Sequence, residues 1–394
     1  MGQEVCADNI TLGVGHLNNH VPVNAITFVQ SHNGAVSKED GWLYYQQTIN
    51  LTKQMERFGV RATKFPVHLY KPSSKTSPKT LRVCHEPDGG NNCKLSLLQR
   101  GGRVPDAVEK HIKRIADFLK SNRSEIFILK LEFWWPSGYG LKEKKPYLDQ
   151  FVQMLKDIGA YGMAYKLNEG EGGTQWPTLG EMRAQNKRLI IMVDDKELVD
   201  NTKVLNHFAH HINQTHWDTN SYDVCKLVQP LNKASDHEEL KTFTKSYQGN
   251  KESEEFKNNR KNMERDINNR LRNTMLEVNI NSNEMSYSLP KPVQKVTKIF
   301  NTILKKVPVK KIQELSKYVK VDDYKSVNSF ENIDKRIINC FDRNKGVHNV
   351  DDGLLLSSDF VDMGDNGGLQ KFAYDRNNFL NKIYMKQAPA SSGS

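Results

Sequence analysis

Along the first half of the chain, short runs of apolar and β-branched residues alternate with stretches whose apolar positions recur every three or four residues. Ala25–His32 (AITFVQSH) reads as a strand, Glu39–Phe58 carries Trp42, Tyr45, Ile49, Leu51 and Met55 at helical spacing, and Val60–Val67 returns to strand. Leu81–His85 predicts a short strand, and Asp106–Ser121 a helix with Val108, Ile112, Ile115, Phe118 and Leu119 on one face. Glu125–Trp134 (EIFILKLEFW) is the clearest strand signal; helices over Tyr147–Ile158 and Leu179–Gln185 and a strand at Arg188–Asp194 follow. Repeated strand–helix alternation predicts a parallel sheet, either a barrel or doubly wound.

From about Leu231 to Gly346 the texture changes to Lys-, Asn- and Glu-rich helical sequence with few strand signals, after which Gly353–Phe360 reads as a strand and Leu369–Ile383 as a helix. A strand returning after the block implies an insertion within one domain. The expected division is a first barrel part over 1–230, a basic helical insertion over 231–346, a closing strand and helix over 347–387, and a linker-like tail over 388–394. The turn after the first strand, Ser31-His32-Asn33-Gly34-Ala35, is neither a dinucleotide fingerprint nor a P-loop, which favours a barrel. Barrel chemistry sits at the C-terminal ends of the strands, and His32, His85 and Asp194 each close a predicted strand.

The charge sharpens this division. The 394 residues carry a net +11, and residues 231–320 alone hold 19 Lys+Arg against 11 Asp+Glu. A surface so unevenly charged, without zinc-finger spacing or an aromatic RNA-binding signature, argues against a nucleic-acid partner. No apolar run approaches the roughly 20 residues a membrane-spanning helix needs. The five cysteines include no C-x-x-C pair, so a zinc site is not expected; Cys84 and Cys93 are the nearest pair for a disulfide, and one thiol must remain unpaired within the chain. Sequons at Asn9, Asn50, Asn122 and Asn213 would permit glycosylation on a secretory route, although the N-terminus lacks an apolar signal core.

Within a barrel strand, alternate residues face the interior, so Ile128, Lys130, Glu132 and Trp134 share one side while Phe127, Leu129 and Leu131 meet the helices. His32 shares its side with Gln30, and His85 with Val83. Two histidines at strand ends with a carboxylate nearby suit chemistry in which one group takes a proton and another gives one near neutral pH.

The pieces Ile26-Thr27-Phe28-Val29-Gln30-Ser31-His32-Asn33, Gln54–Arg61, Val83-Cys84-His85 and Phe118–Ile126 leading into Leu131-Glu132 stand in an order and spacing that resembles the phosphatidylinositol-specific phospholipase C-like phosphodiesterases. The tract Trp176–Met182 before Asp194 and the pair Ser358-Asp359 before Gly364-Asp365 look like that family's later blocks. The resemblance implies a distorted TIM-type (β/α) barrel with a Lys/Asn-rich, mainly helical insertion before the last strand. It also implies a phosphoric diester hydrolase or lyase acting on phosphatidylinositol or a related phospholipid. His32 would take the proton of the attacking inositol hydroxyl, His85 would protonate the departing oxygen, and Asp359 would orient His32. Asn33 and Glu132 fall where calcium-dependent members place two metal ligands, but Lys64 and Pro66 stand where those relatives carry further carboxylates. Two oxygen ligands are few for calcium. A metal-independent site is therefore expected, Lys64 supplying the cation against the phosphate with Asn33 and Glu132 in substrate binding; calcium on Asn33 and Glu132 is the alternative. A catalytically silent barrel that binds lipid, glycan or protein is the competing function. Arg61 reads as a structural arginine.

In Lys291–Val307 the apolar Val296, Ile299, Phe300, Ile303, Leu304 and Val307 recur at helical spacing with lysines between them. Such a helix suits peripheral contact with an anionic membrane, and with it a secreted or extracellular protein. Trp134 and Trp135 could flank the pocket, enter the membrane interface, or pack under a loop.

Overall fold

The computed structural model describes residues 12–42, 45–72, 78–85, 93, 96, 100, 102–170, 173–214, 240, 243–245, 247–272, 274–279, 329–343, 353–359, 361–362 and 368–387. The first strand, β1 (Thr27–His32), leads through a loop and α1 (Leu51–Phe58) into the long β2 (Val60–Tyr70) and the short β3 (Thr80–Val83). Helix α2 (Val108–Ser121), β4 (Phe127–Trp134) and α3 (Leu141–Asp157) come next. A small hairpin, β5 (Asn168–Gly170) and β6 (Gly173–Gln175), precedes α4 (Leu179–Ala184), β7 (Leu189–Val193), α5 (Lys196–Asp200) and β8 (Leu205–His207). A single turn, α6 (Phe208–His211), joins β8 to β9 (Ile212–Gln214); then α7 (Glu254–Arg272), β10 (Met275–Asn279), α8 (Phe330–Arg343), β11 (Leu354–Ser358) and α9 (Gly368–Gln387) complete the chain.

The main sheet runs β8-β7-β4-β2-β1-β11-β10-β9, and every neighbouring pair on this path is parallel. That order is chain order read around a ring, with β8 and β9 at the seam. Strand β4 stands four places from β10 along the sheet, yet Lys130 Nζ reaches Glu277 Oε2 at 2.8 Å and Gln214 Oε1 of β9 at 3.0 Å. Only a sheet curled into a barrel brings these strands face to face. The TIM-type parallel α/β fold expected from the sequence is therefore the observed one, open between β8 and β9 among the described residues.

Alternation sorts the residues as expected. Ile128 packs inside with Ile26, Phe28, Ala62, Ile190, Ile212, Met275 and Leu355, while Phe127, Leu129 and Leu131 pack outside with Ile112, Ile115 and Phe151 of the flanking helices. On the opposite wall Val29, Leu276, Val278, Leu354 and Leu356 meet Ile333, Ile337 and Phe372 of α8 and α9. Helix α9 is fixed to the first strand by Asn377, whose Oδ1 accepts from Thr27 N and whose Nδ2 donates to Thr27 O, both at 2.9 Å.

Four expectations change. The helix placed at Glu39–Phe58 forms only from Leu51, where Asn50 caps it by accepting from Lys53 N; ahead of it residues 45–50 are not helical, and Gln46 and Gln47 bind Asn33 and His32. The helix placed at Tyr147–Ile158 begins earlier, at Leu141, where the Glu143 carboxylate accepts from Gly140 N. The strand placed at Leu81–His85 is not a barrel strand: β3 pairs antiparallel with the overhanging end of β2, and His85 lies beyond it. The block 231–346 is not an uninterrupted helical insertion, because Met275–Asn279 supplies the barrel strand β10. The sequence hid this strand because it is only five residues long and follows the Asn- and Arg-rich helix α7. Lys291–Val307 lies outside the described residues, and no described helix is long and apolar enough to cross a membrane.

Candidate functional site

The polar side chains gather at the C-terminal ends of the barrel strands. Around the ring, His32 on β1 stands opposite Lys64 on β2, and Lys64 opposite Lys130 on β4. Beyond His32 the chain must turn sharply: Asn33 adopts φ +47°, and a Cβ on Gly34 would lie 2.3 Å from both Ser31 Oγ and Thr63 Oγ1. Glycine is therefore the residue the close approach of β1 and β2 allows. Gln47 ties the adjacent strand ends together, donating to His32 O at 2.9 Å and Ser358 O at 3.1 Å while accepting from Val361 N at 3.1 Å.

His32 donates from Nδ1 to Asp359 Oδ1 at 2.8 Å, and Asn33 Nδ2 donates to His32 Nε2 at 3.1 Å. Asn33 Nδ2 also donates to Gln46 Oε1. A carboxylate can only accept, so the neutral ring carries its proton on Nδ1 and offers Nε2 as a base. Burial, and after it the Lys64 ammonium, hold the His32 imidazole well below its ordinary value. The His32 side chain keeps 12% exposure against 3% for Asp359, so the ring faces the mouth and the carboxylate lies behind it.

His85 sits within electrostatic reach of His32, Asp359 and Lys64. Burial, then charge on His32, push its imidazole down to about 4. Its Nδ1 is buried without a hydrogen-bond partner among the described residues, and its backbone N donates to Ser96 Oγ at 2.8 Å. The residue before it, Cys84, is disulfide-bonded to Cys93, the pair the spacing had favoured.

Lys64 Nζ lies 2.8 Å from Glu132 Oε1. Burial and the neighbouring Lys130 lower the Lys64 ammonium despite Glu132; burial opposes ionisation of Glu132, but Lys64 and Lys130 hold its carboxyl below the usual range. Beneath this pair, Lys130 and Glu277 form a second ion pair at 0% exposure on both sides, and Gln30 Nε2 donates to Glu277 Oε1 at 2.7 Å. Glu277 is the polar residue that sequence reasoning missed, for it stands on β10 inside the block read as insertion. Asp194, at the end of β7, accepts from Phe133 N at 2.9 Å and is pushed up to about 6 by burial, with the Glu132 charge adding to the effect.

The donor set does not fit calcium. The side-chain nitrogen of Asn33 is turned to His32 and Gln46, and Glu132 is occupied by an ammonium. Among the described residues there is no group of three His, Cys, Asp or Glu able to hold a metal. Arg61 stands away from this end, paired with Glu125 (Nε to Oε2 2.9 Å) and bound to Met55 O, in the structural role expected of it. Trp134 is 44% exposed and stacks on His68, whereas Trp135 stacks on Phe133 at the edge of the outer core.

A parallel barrel whose mouth holds an imidazole–carboxylate pair, a second imidazole and a buried lysine–glutamate pair defines the class. Residues 22–248 match the PI-PLC X family model (PI-PLC X 1), more than half of the chain, and the chain belongs to that family. It is 26% identical over 207 residues to the PI-PLC X domain-containing protein 1 of Arthroderma benhamiae, covering 52% of this chain and 58% of that relative's length. Among solved structures, the phosphatidylinositol-specific phospholipase C of Listeria monocytogenes aligns over 92% of this chain and 97% of its own, at 12% identity and TM-score 0.44. The corresponding Staphylococcus aureus enzyme aligns over 92% and 96%, at 8% identity and TM-score 0.43. Both scores lie below 0.5, and the fold assignment stands on the strand order described above.

Proposed function

We propose that this protein is a phosphodiesterase of phospholipase C type, cleaving phosphatidylinositol or a related phospholipid by proton transfer between His32 and His85. The observation that carries the reading is the His32–Asp359 contact of 2.8 Å with Lys64 and His85 within charge range of the same ring. His32 Nε2 takes the proton of a substrate hydroxyl that attacks the neighbouring phosphorus. Asp359 steadies the imidazolium that forms. His85 donates to the oxygen leaving phosphorus. An anionic phosphodiester beside His85 raises that ring's proton affinity, which burial and neighbouring cations hold low in the free protein. The attacking and leaving groups belong to one bound molecule, so the protein supplies proton transfer and charge neutralisation, with no covalent intermediate.

Lys64 neutralises the charge that gathers on the phosphoryl oxygens, and calcium takes no part. The Lys64–Glu132 geometry supports this, since the ammonium holds the carboxylate that a calcium ion would need. The disulfide at Cys84 and a further disulfide-bonded residue, Cys340, support an oxidising, secretory or extracellular setting. Substrate is met at an anionic membrane surface, with the basic segment 291–320 as the contact.

The test is release of diacylglycerol or inositol phosphate from vesicles of radiolabelled phosphatidylinositol and a panel of other phospholipids, with calcium or with a chelator. Turnover insensitive to chelation, and lost in both His32→Ala and His85→Ala, is expected. Strict calcium dependence removes Lys64 from its role, and unchanged turnover in either histidine variant removes the mechanism. Vesicle binding that survives both histidine changes, without turnover in the native protein, would establish the silent, binding-only alternative.

A further inference from the structure

The two histidines are held by different means, and the second lacks what the first has. His32 ends a ladder-bonded barrel strand and is oriented through both ring nitrogens, by Asp359 and Asn33. His85 follows β3, an edge strand that pairs only with the overhang of β2, and its Nδ1 has no hydrogen-bond partner among the described residues. Among the described residues, what holds His85 in place is its main chain. Cys84 immediately precedes it, bonded to Cys93 with the Cα atoms 5.6 Å apart, and both cysteines are fully buried under Tyr70. Three residues on, Ser96 is likewise buried and accepts the His85 N–H at 2.8 Å. Four further on, buried Arg100 anchors this strap to the barrel: its N donates to Ser96 O, its Nη2 to Asp40 O at 2.9 Å, and its guanidinium lies over Trp42 and pairs with Asp106. Cys93, Ser96 and Arg100 are all buried, and through them His85 is joined covalently and by hydrogen bond to Asp40, which follows β1.

We propose that the Cys84–Cys93 disulfide and Ser96 are positioning residues for His85, setting the direction of its imidazole toward the oxygen that leaves phosphorus. This rests on the reading of His85 as proton donor. It predicts dependence on the leaving group. An alkoxide must be protonated as it departs, whereas a nitrophenolate leaves without help. A purely structural strap would affect both alike.

The experiment compares two soluble inositol phosphodiesters, one with an alkyl and one with a p-nitrophenyl leaving group, in the full-length protein and in Cys84→Ala/Cys93→Ala. The alkyl substrate should lose on the order of 10²- to 10⁴-fold in kcat, the range of general acid catalysis, with KM unchanged. The nitrophenyl substrate should lose little. Ser96→Ala, which keeps the disulfide, should show the same selectivity at about a tenfold loss, the scale of one hydrogen bond, and serves if the double variant does not fold. Equal losses on both substrates, or none on either, would overturn the proposal. Failure of the native protein to cleave either substrate would instead overturn the phosphodiesterase reading and this inference with it. Full activity on both in a His85→Ala control would show that the donor itself is misassigned.

Discussion

The wall of the barrel that carries His32 and the wall that carries His85 position the same side chain by opposite physics. On the first, β1 is hydrogen-bonded on both sides, by β2 and β11, and the carboxylate of Asp359, just past the end of the adjoining β11, meets the ring. The scaffold is the sheet itself. On the second, the sheet has ended: β3 is an antiparallel addition, and a disulfide-linked strap stands in for the missing ladder. A ladder fixes a side chain's depth and direction together, because register fixes which face it points to. A strap fixes depth and leaves direction to local covalent geometry. The difference teaches that two imidazoles at one barrel mouth need not share a source of rigidity.

The largest expected effect tests the ladder-held side. In Asp359→Asn, the amide can present N–H to His32 Nδ1, favouring the tautomer that carries its proton on Nε2 and so removing the base. Turnover should fall by about 10²- to 10⁴-fold with the melting temperature little changed. A loss under tenfold would mean that Asn33 and the strand alone orient His32, and the contrast between the two walls would shrink.

The second test asks what the ladder side itself rests on. Lys130 and Glu277 join β4 to β10 across the interior at 0% exposure, so Lys130→Met leaves a buried carboxylate without its charge partner. Breaking such a pair costs about 3–5 kcal/mol, while the double change Lys130→Met/Glu277→Leu should recover most of it. Urea unfolding measures both. If Lys130→Met costs under about 1 kcal/mol, the interior is better solvated than the burial implies. In that case it is not the rigid floor on which the comparison relies.

These residues also show what could be read from the chain alone. Glu132 was legible because Leu129–Phe133 alternates apolar and polar, which puts Lys130 and Glu132 on one face, and His32 because it closes the apolar run of the first strand. Asp359 was suggested only by the resemblance of Ser358-Asp359 to the family's closing strand, and its distance from His32 was not readable. Glu277 was not legible, since five residues of strand within a Lys- and Asn-rich tract give periodicity little to work on. Residues 45–50 were misread because Trp42, Tyr45 and Ile49 mimic a helical stripe, whereas Gln46 and Gln47 are drawn into bonds with Asn33, His32 and Ser358. The strap was invisible for a similar reason. Cysteine spacing suggested a bond between Cys84 and Cys93, but nothing in the spacing shows that the bond braces a histidine off the sheet.

The smallest effect is the one that both walls share. Lys64 depresses the His32 and the His85 imidazoles alike, so its field couples the two sites even though their supports are separate. On the proposed mechanism the active form of the free protein has His85 protonated and His32 neutral. His85 lies near 4, so as pH falls from 7 its protonated fraction rises, and kcat/KM should climb toward acid until His32 also takes a proton. Lys64→Met removes a cation that disfavours both protonations. Both limbs of the profile should therefore move to higher pH, by about one unit, the shift that a single nearby charge produces. The maximum should also fall because the phosphoryl charge loses its partner. A profile in which only the limb assigned to His32 moves would show that Lys64 acts on the ladder-held wall alone, and the two histidines would then be independent in charge as well as in support. A profile that does not move at all would remove Lys64 from the electrostatics of both.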